Sequence, residues 1–179
     1  MGLQYNNLDN QTRQSMLGEL QLDIETGTLY ISPRLNDQGR AAYPSLLREA
    51  IQVHDDEWLA SQFEAHGYLA AYEQRRKPGG GYTTARVPST AHETLAEGEF
   101  NRFYCRGLCV RAIEQGIRCV EVYRGKSVLR PRSESEAAIG KLIDAKTLLD
   151  DLRVSQGVEP ALGIPPGPNS GLTVRLPST

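Results

Sequence analysis

The stretch from residue 91 to about 115 constrains the fold of this chain more than any other. Phe100, Phe103, Tyr104, Gly107, Leu108 and Val110 fall at helical spacing and make a broad apolar face. This predicts a long helix at the centre of the core. Ser89 or Thr90 can cap it, Gly116 can stop it, and Gly98 is where an interruption is expected if there is one. With 179 residues, 39% of them hydrophobic, the chain can bury one real core around such a helix.

Other elements follow from local pattern. Residues 1–15 are polar (Asn6, Asn7, Asp9, Asn10, Gln11) and are expected to form a loose N-terminal arm. Leu20, Leu22 and Ile24 alternate with Glu19, Gln21 and Asp23, and Thr26-Gly27 turns into Leu29-Tyr30-Ile31. That pattern predicts a β-hairpin over 18–32. Leu46, Leu47, Ala50 and Ile51 predict a helix over about 43–52, with Pro44 in its first turn. Asp55 caps a second helix, over 55–66, that carries Trp58, Leu59 and Phe63 inward. Residues 68–87 read as a second hairpin, broken at Pro78-Gly79-Gly80-Gly81. After the long helix, residues 117–123 alternate as a strand, Ser133 or Ser135 starts helical material, and Asp144 caps a last helix with Leu148, Leu149 and Leu152. Three prolines and three glycines in residues 163–171 exclude a helix there. An extended proline-rich C-terminal tail is expected over 156–179, either a plain linker or an arm that docks on a partner or a neighbouring subunit. The expected fold class is α+β. It comprises a single domain over 16–155 with two β-hairpins and a long central helix, flanked by the two arms.

Charge is unevenly spread. The formal net charge is −2, yet residues 72–132 hold twelve Lys and Arg against six acids, residues 1–71 hold four against ten, and residues 133–179 four against six. A basic middle inside a near-neutral average is the footprint of a polyanion or of an acidic partner surface. Its candidate anion- or nucleic-acid-binding residues are Arg75, Arg76, Lys77, Arg102, Arg106, Arg124, Lys126, Arg130 and Arg132. Glu99, Arg102 and Arg106 share one stripe of the long helix. Two readings are open for it: cations aimed at phosphate or carboxylate, or an internal ladder in which Glu99 meets Arg102 and Arg106 meets another acid.

The order helix, short turn, helix, hairpin over 43–87 resembles a winged helix-turn-helix. The resemblance implies a second helix in the major groove and a hairpin wing on the backbone. The tip Arg75-Arg76-Lys77-Pro-Gly-Gly-Gly suits a wing that grasps phosphates. The second helix departs from the pattern, because Asp55, Asp56, Glu57 and Glu64 with no cation would repel DNA where bases should be read. The plainer expectation is a hairpin with a solvated basic tip. Asp23-Ile24-Glu25 resembles the first motif of the DEDD exonucleases, but the later histidine- or tyrosine-plus-aspartate motif is not evident.

Cys105, Cys109 and Cys119 are odd in number and lack a Cys-x-x-Cys pair. They read as buried small residues of a reduced, cytoplasmic protein rather than metal ligands or a disulfide framework. No metal and no cofactor is expected, and no nucleophile elbow, P-loop or G-x-G-x-x-G motif occurs. The leading expectation is a non-enzymatic binding protein whose basic region contacts a nucleic acid or another phosphate-bearing or acidic partner, away from membranes. The alternatives are a structural subunit of a homo- or hetero-oligomer held by its terminal arms, and an enzyme acting on a nucleotide or phosphodiester.

Overall fold

The computed structural model describes residues 2–157, 160–167 and 170–178. Within them the chain runs α1 (Asn10–Thr26), α2 (Asp37–Val53), α3 (Asp56–Ala65), β1 (Tyr72–Arg76), β2 (Tyr82–Arg86), α4 (Ala91–Glu114), β3 (Cys119–Arg124), α5 (Ser133–Ala138), β4 (Leu142–Asp144), α6 (Ala145–Val154) and β5 (Leu172–Arg175). This is a mixed α+β fold with two small antiparallel sheets, β1-β2 and β4-β3-β5. As expected, α4 is the central helix, and it runs through Gly98 without a break. It packs against α1, α3 and α6 and meets β3 and β5. Phe100, Phe103, Tyr104, Leu108 and Ala112 are sealed in the core with Met16 and Leu20 of α1, Phe63 of α3 and Leu148 and Leu152 of α6. Among the described residues no helix is long and apolar enough to cross a membrane.

The expected hairpin over 18–32 is instead helix α1. Its inward face is Thr12, Met16, Glu19, Leu20 and Asp23, while Leu22 and Ile24 stay exposed. Two of the buried positions are carboxylates, so the apolar pattern that normally marks a helix is missing and an accidental alternation takes its place. Asp9 caps the start by accepting from the Thr12 amide at 3.1 Å, and Gly27 closes the end in a left-handed conformation.

The residues before α1 are not a loose arm. Leu3 is buried, the Gln4 amide donates to the Gly125 carbonyl at 2.9 Å, and the Asn6 amide donates to the Tyr123 hydroxyl at 2.9 Å. Met1 lies outside the described residues. Helix α2 begins earlier than expected because Asn36, not the turn near Tyr43, caps it. The Asn36 side chain accepts from the Gly39 amide, which leaves Pro44 inside the helix.

The expected C-terminal tail is also different. β5 pairs along β3 from Glu121↔Arg175 to Arg124↔Leu172, and Leu172, Thr173 and Val174 are buried. The segment docks on its own chain. Pro168 and Asn169 of the proline-rich run lie outside the described residues. The second hairpin, the Asp55 cap of α3 and the Asp144 cap of α6 all occur as expected, the caps accepting from Trp58 and Thr147 amides at 3.0 Å.

Gly107 sets the approach of the two main helices. A Cβ at this position would stand 2.7 Å from the Met16 backbone nitrogen, so α1 rests directly on the α4 backbone.

Candidate functional site

The nine candidate cations occupy five different settings. Arg106 is a correction. It is fully buried, with its guanidinium donating to Glu19 at 2.9 Å and to Asp23 at 2.6 and 2.9 Å. No partner outside the chain can reach it, and the reading in which Arg106 meets another acid is the one that holds. Arg153 also donates to Glu19 at 2.6 Å, so α1, α4 and α6 share one ionic knot. Burial works against the Glu19 carboxylate, yet the hydrogen bonds and charges of Arg153 and Arg106 outweigh it and hold its pKa below the usual range.

Arg102 donates to the Ser155 carbonyl at 2.7 Å and borders a cleft of about 430 Å³ beneath residues 160–167. Glu99 lines the same cleft. Burial pushes its carboxyl up to about 7, opposed by the charge of Arg102 and by the Tyr43 hydroxyl, which donates to it at 3.4 Å. Arg124 is held by Glu136 and the Ser170 carbonyl. Lys126 pairs with Glu97 at 2.8 Å, and that partner lifts the ammonium pKa against the opposing effect of burial. Arg130 and Arg132 are exposed at the mouth of a larger cavity. Arg75, Arg76 and Lys77 stand on the hairpin.

The hairpin carries the most organised surface. Its register pairs Tyr72 with Arg86, Gln74 with Thr84, and Arg76 with Tyr82. Directly opposed residues of an antiparallel pair share a face, and alternate residues of each strand return to it. Tyr72, Gln74, Arg76, Tyr82, Thr84 and Arg86 therefore lie on one side, and every one of them is exposed. The two tyrosines are 59% and 70% exposed, unusual for rings with no packing duty. Gln74 donates to Thr84 across the middle of this face at 3.0 Å. The other side faces the body: Glu73 accepts from Arg34 at 2.6 Å and from Arg75 at 2.7 Å. Arg34 foremost, with Arg75, holds the Glu73 carboxyl below its usual range.

Arg76, Lys77 and Arg86 have no carboxylate partner among the described residues. The tip turns through Gly80 and Gly81, both at positive φ, with the Lys77 amide donating to Gly81 and the Gly80 amide to Lys77 at 3.0 Å each. At the hairpin base, Tyr72 and Arg86 open onto a cleft of about 390 Å³ lined also by Leu69, Pro88 and His92.

The order α2, α3, hairpin follows the winged helix-turn-helix expectation, and Leu35 and Leu69 add a single β-bridge beside it. The departure expected from the sequence is also present. Helix α3 exposes Glu57, Ser61 and Glu64, and its first turn borders an acidic pocket with Glu93 and Glu97. There burial pushes the Asp56 carboxyl up to about 6. The lining of that pocket is acidic on balance, with Asp56, Glu57, Glu64, Glu93 and Glu97 against Lys126.

Arg75, Arg76 and Lys77 are among the residues expected from the sequence, whereas Tyr72, Tyr82 and Arg86 are not. The signal was available: a hairpin centred on Gly79 with period-2 alternation puts all three on the face of Arg76. Cys105 and Cys109 are buried core residues, as expected, whereas Cys119 is only half-buried, and burial pushes the Cys105 thiol up to about 12. No family model, curated protein or solved structure matches the chain.

Proposed function

We propose that this protein binds nucleic acid as an unpaired strand, laid across the outer face of the β1-β2 hairpin. The observation that carries this reading is the register that sets Tyr72 beside Arg86 and Arg76 beside Tyr82 on one solvent face. Exposed rings offer stacking platforms that any base can use, and unpaired guanidinium groups offer phosphate contacts. In a duplex the bases are already stacked on each other, so the tyrosines gain nothing there. The rings stand about 13 Å apart along the strands, four residues at the usual rise, which leaves room between them for backbone to pass over Gln74 and Thr84. Lys77 at the tip extends the positive track, while the acidic first turn of α3 keeps the strand from running that way. The role is binding and needs no reacting group.

Fluorescence anisotropy with labelled single-stranded DNA and RNA, and with the matching duplexes, tests this directly. Binding to single strands is expected to exceed duplex binding and to weaken steeply as salt rises. Tyr72→Ala and Tyr82→Ala should each cost about 1–3 kcal/mol of binding at constant melting temperature. Salt-independent binding, or a Tyr72→Ala/Tyr82→Ala double variant that binds like the parent, overturns the reading. Retention of an acidic peptide in place of any oligonucleotide would assign the same cations to a protein partner.

A further inference from the structure

A second site lies on the other sheet. The chain leaves β3 at Gly125, loops through Arg132, enters α5 and returns through β4. Residues 160–167 and β5 line the other side of the gap, leaving a half-open cavity of about 1050 Å³. That volume is at the upper end for small-molecule sites. Its floor is aliphatic: Val122, Ile143, Ile164 and Leu172, with Val122 and Leu172 almost wholly removed from solvent. Among the described lining residues there is no aromatic ring, histidine, asparagine or glutamine. A nucleobase entering this space would find no aromatic ring to stack on and no side-chain amide to read its edge.

The mouth has the opposite character. Arg130, Arg132 and Lys141 ring it without a carboxylate partner among the described residues, against the single acid Glu134. The two nearby cations that could have been neutral spectators are already spent, Lys126 on Glu97 and Arg124 on Glu136. An aliphatic interior below an unneutralised cationic mouth is complementary to an amphiphile with an anionic head.

We propose that this cavity binds an aliphatic chain ending in a carboxylate or phosphate group, with the chain on Val122, Ile143, Ile164 and Leu172 and the head at Arg130, Arg132 and Lys141. The site is separate from the hairpin face and does not depend on nucleic-acid binding.

Isothermal titration of the full chain, below the micelle concentration of each probe, tests it with dodecanoate, dodecyl phosphate, dodecanol, dodecyltrimethylammonium and a nucleoside monophosphate. Both anionic amphiphiles are expected to bind at one per chain. Dodecanol should bind at least about tenfold more weakly, since a charge-assisted contact is worth that much or more. The cationic amphiphile and the nucleotide should not bind. The ratio of carboxylate to phosphate affinity separates an acyl ligand from a phosphorylated one. Substituting Arg130, Arg132 and Lys141 together by Ala should reduce the anions to the level of dodecanol with no change in melting, because all three side chains are exposed. Ala138→Phe, which fills the cavity from α5, should lower binding of every aliphatic probe. Dodecanol or the cationic probe binding as well as dodecanoate overturns the proposal. So does an unaffected triple variant, preference for the nucleotide, or no binding by any probe.

Discussion

Arg106 and Arg76 come from the same basic stretch of sequence and have opposite duties. Arg106 is sealed inside α1, α4 and α6 with two carboxylates on its guanidinium, and Arg76 stands in water on the hairpin with none. The acids that hold Arg106, Glu19 and Asp23, lie more than eighty residues away in the acidic first block. Arg111 reaches back in the same way to Asp9 at 2.7 Å. Much of the charge segregation along the chain is therefore the fold's own pairing, written as distant complementary blocks. A run of cations in sequence measures neighbourhood along the chain, not what remains uncovered after folding. The cations that remain exposed without a carboxylate among the described residues include Arg76, Lys77 and Arg86 on the hairpin and Arg130, Arg132 and Lys141 at the cavity mouth.

The comparison breaks most sharply on stability. Arg106→Ala would strand the Glu19 and Asp23 carboxylates in the core, and removing one partner of a buried ion pair costs about 3–5 kcal/mol. Against a total of about 5–15 kcal/mol for an ordinary domain, that variant should be barely folded. Arg76→Ala should stay within about 0.5 kcal/mol of the parent. Urea denaturation of the two variants checks the contrast, and similar midpoints would remove it. The Glu19 carboxyl is held below its unfolded pKa, so its share of the stability is present above that pKa and fades as acid protonates it. Arg106→Ala should accordingly lose part of the acid sensitivity of the parent.

Glu99 sharpens the same contrast from the acidic side, since it is buried with weaker compensation. Its pKa is about 7 in the fold against an ordinary 4.5, so the folded chain binds a proton that the unfolded chain has released between those values. Stability must then fall as pH rises through that window and level off above it. A shift of that size corresponds to about 3 kcal/mol at pH 8. Glu99→Gln keeps an acceptor for the Tyr43 hydroxyl and removes the charge. It should raise stability at pH 8 by up to that amount, leave it unchanged near pH 4, and flatten the decline between. Asp56, raised to about 6 by burial, contributes a parallel slope that the variant retains. Melting curves across pH 4–8 would show the difference, and superimposable curves for parent and variant would exclude the ionic account of Glu99.

The parts of the fold that could be read in sequence are those whose signal is local. Helix α4 has its apolar face, α3 and α6 have Asp55 and Asp144 one residue ahead of them, and β1-β2 has a glycine turn between alternating strands. Helix α1 was illegible because its buried face includes Glu19 and Asp23, whose reason for being inside is an arginine in another helix. β5 was illegible because four residues after a proline- and glycine-rich run give no sign that β3, some fifty residues earlier, will receive them. The candidate site divides in the same way. The basic tip is legible as Arg75-Arg76-Lys77, whereas the cavity depends on the return of residues 160–167 and of β5 and cannot be inferred from Arg130 and Arg132 alone.

Contact between α1 and α4 provides a smaller test of how tightly the buried half is specified. At Gly107 an added methyl group would press on the Met16 backbone nitrogen at 2.7 Å, and backbone cannot rotate away as a side chain can. Gly107→Ala should cost about 1–3 kcal/mol, the usual range for overpacking, despite the better helix propensity of alanine. Gly98→Ala on the same helix meets nothing within 4 Å and should be neutral or slightly stabilising. Equal midpoints for the two variants would mean that the helices can part without loss.

The smallest effect separates cations that act on a ligand from cations that merely face water. Lys77 and Arg118 are both exposed, and Arg118 lies 3.5 Å from Asp144 in a pair open to solvent. Neither should change the melting temperature measurably when replaced by Ala, because exposed pairs contribute about 0–1 kcal/mol. Lys77 sits at the end of the proposed strand path, so its loss should lower the slope of log affinity against log salt for single-stranded oligonucleotide by about 0.7, the release from one phosphate contact. Arg118→Ala should leave that slope unchanged. A slope that falls equally for both would reduce the binding to general attraction between the oligonucleotide and any surface cation. A slope that falls for Lys77 alone ties the phosphates to the hairpin tip, and with them the two tyrosines that share its strands.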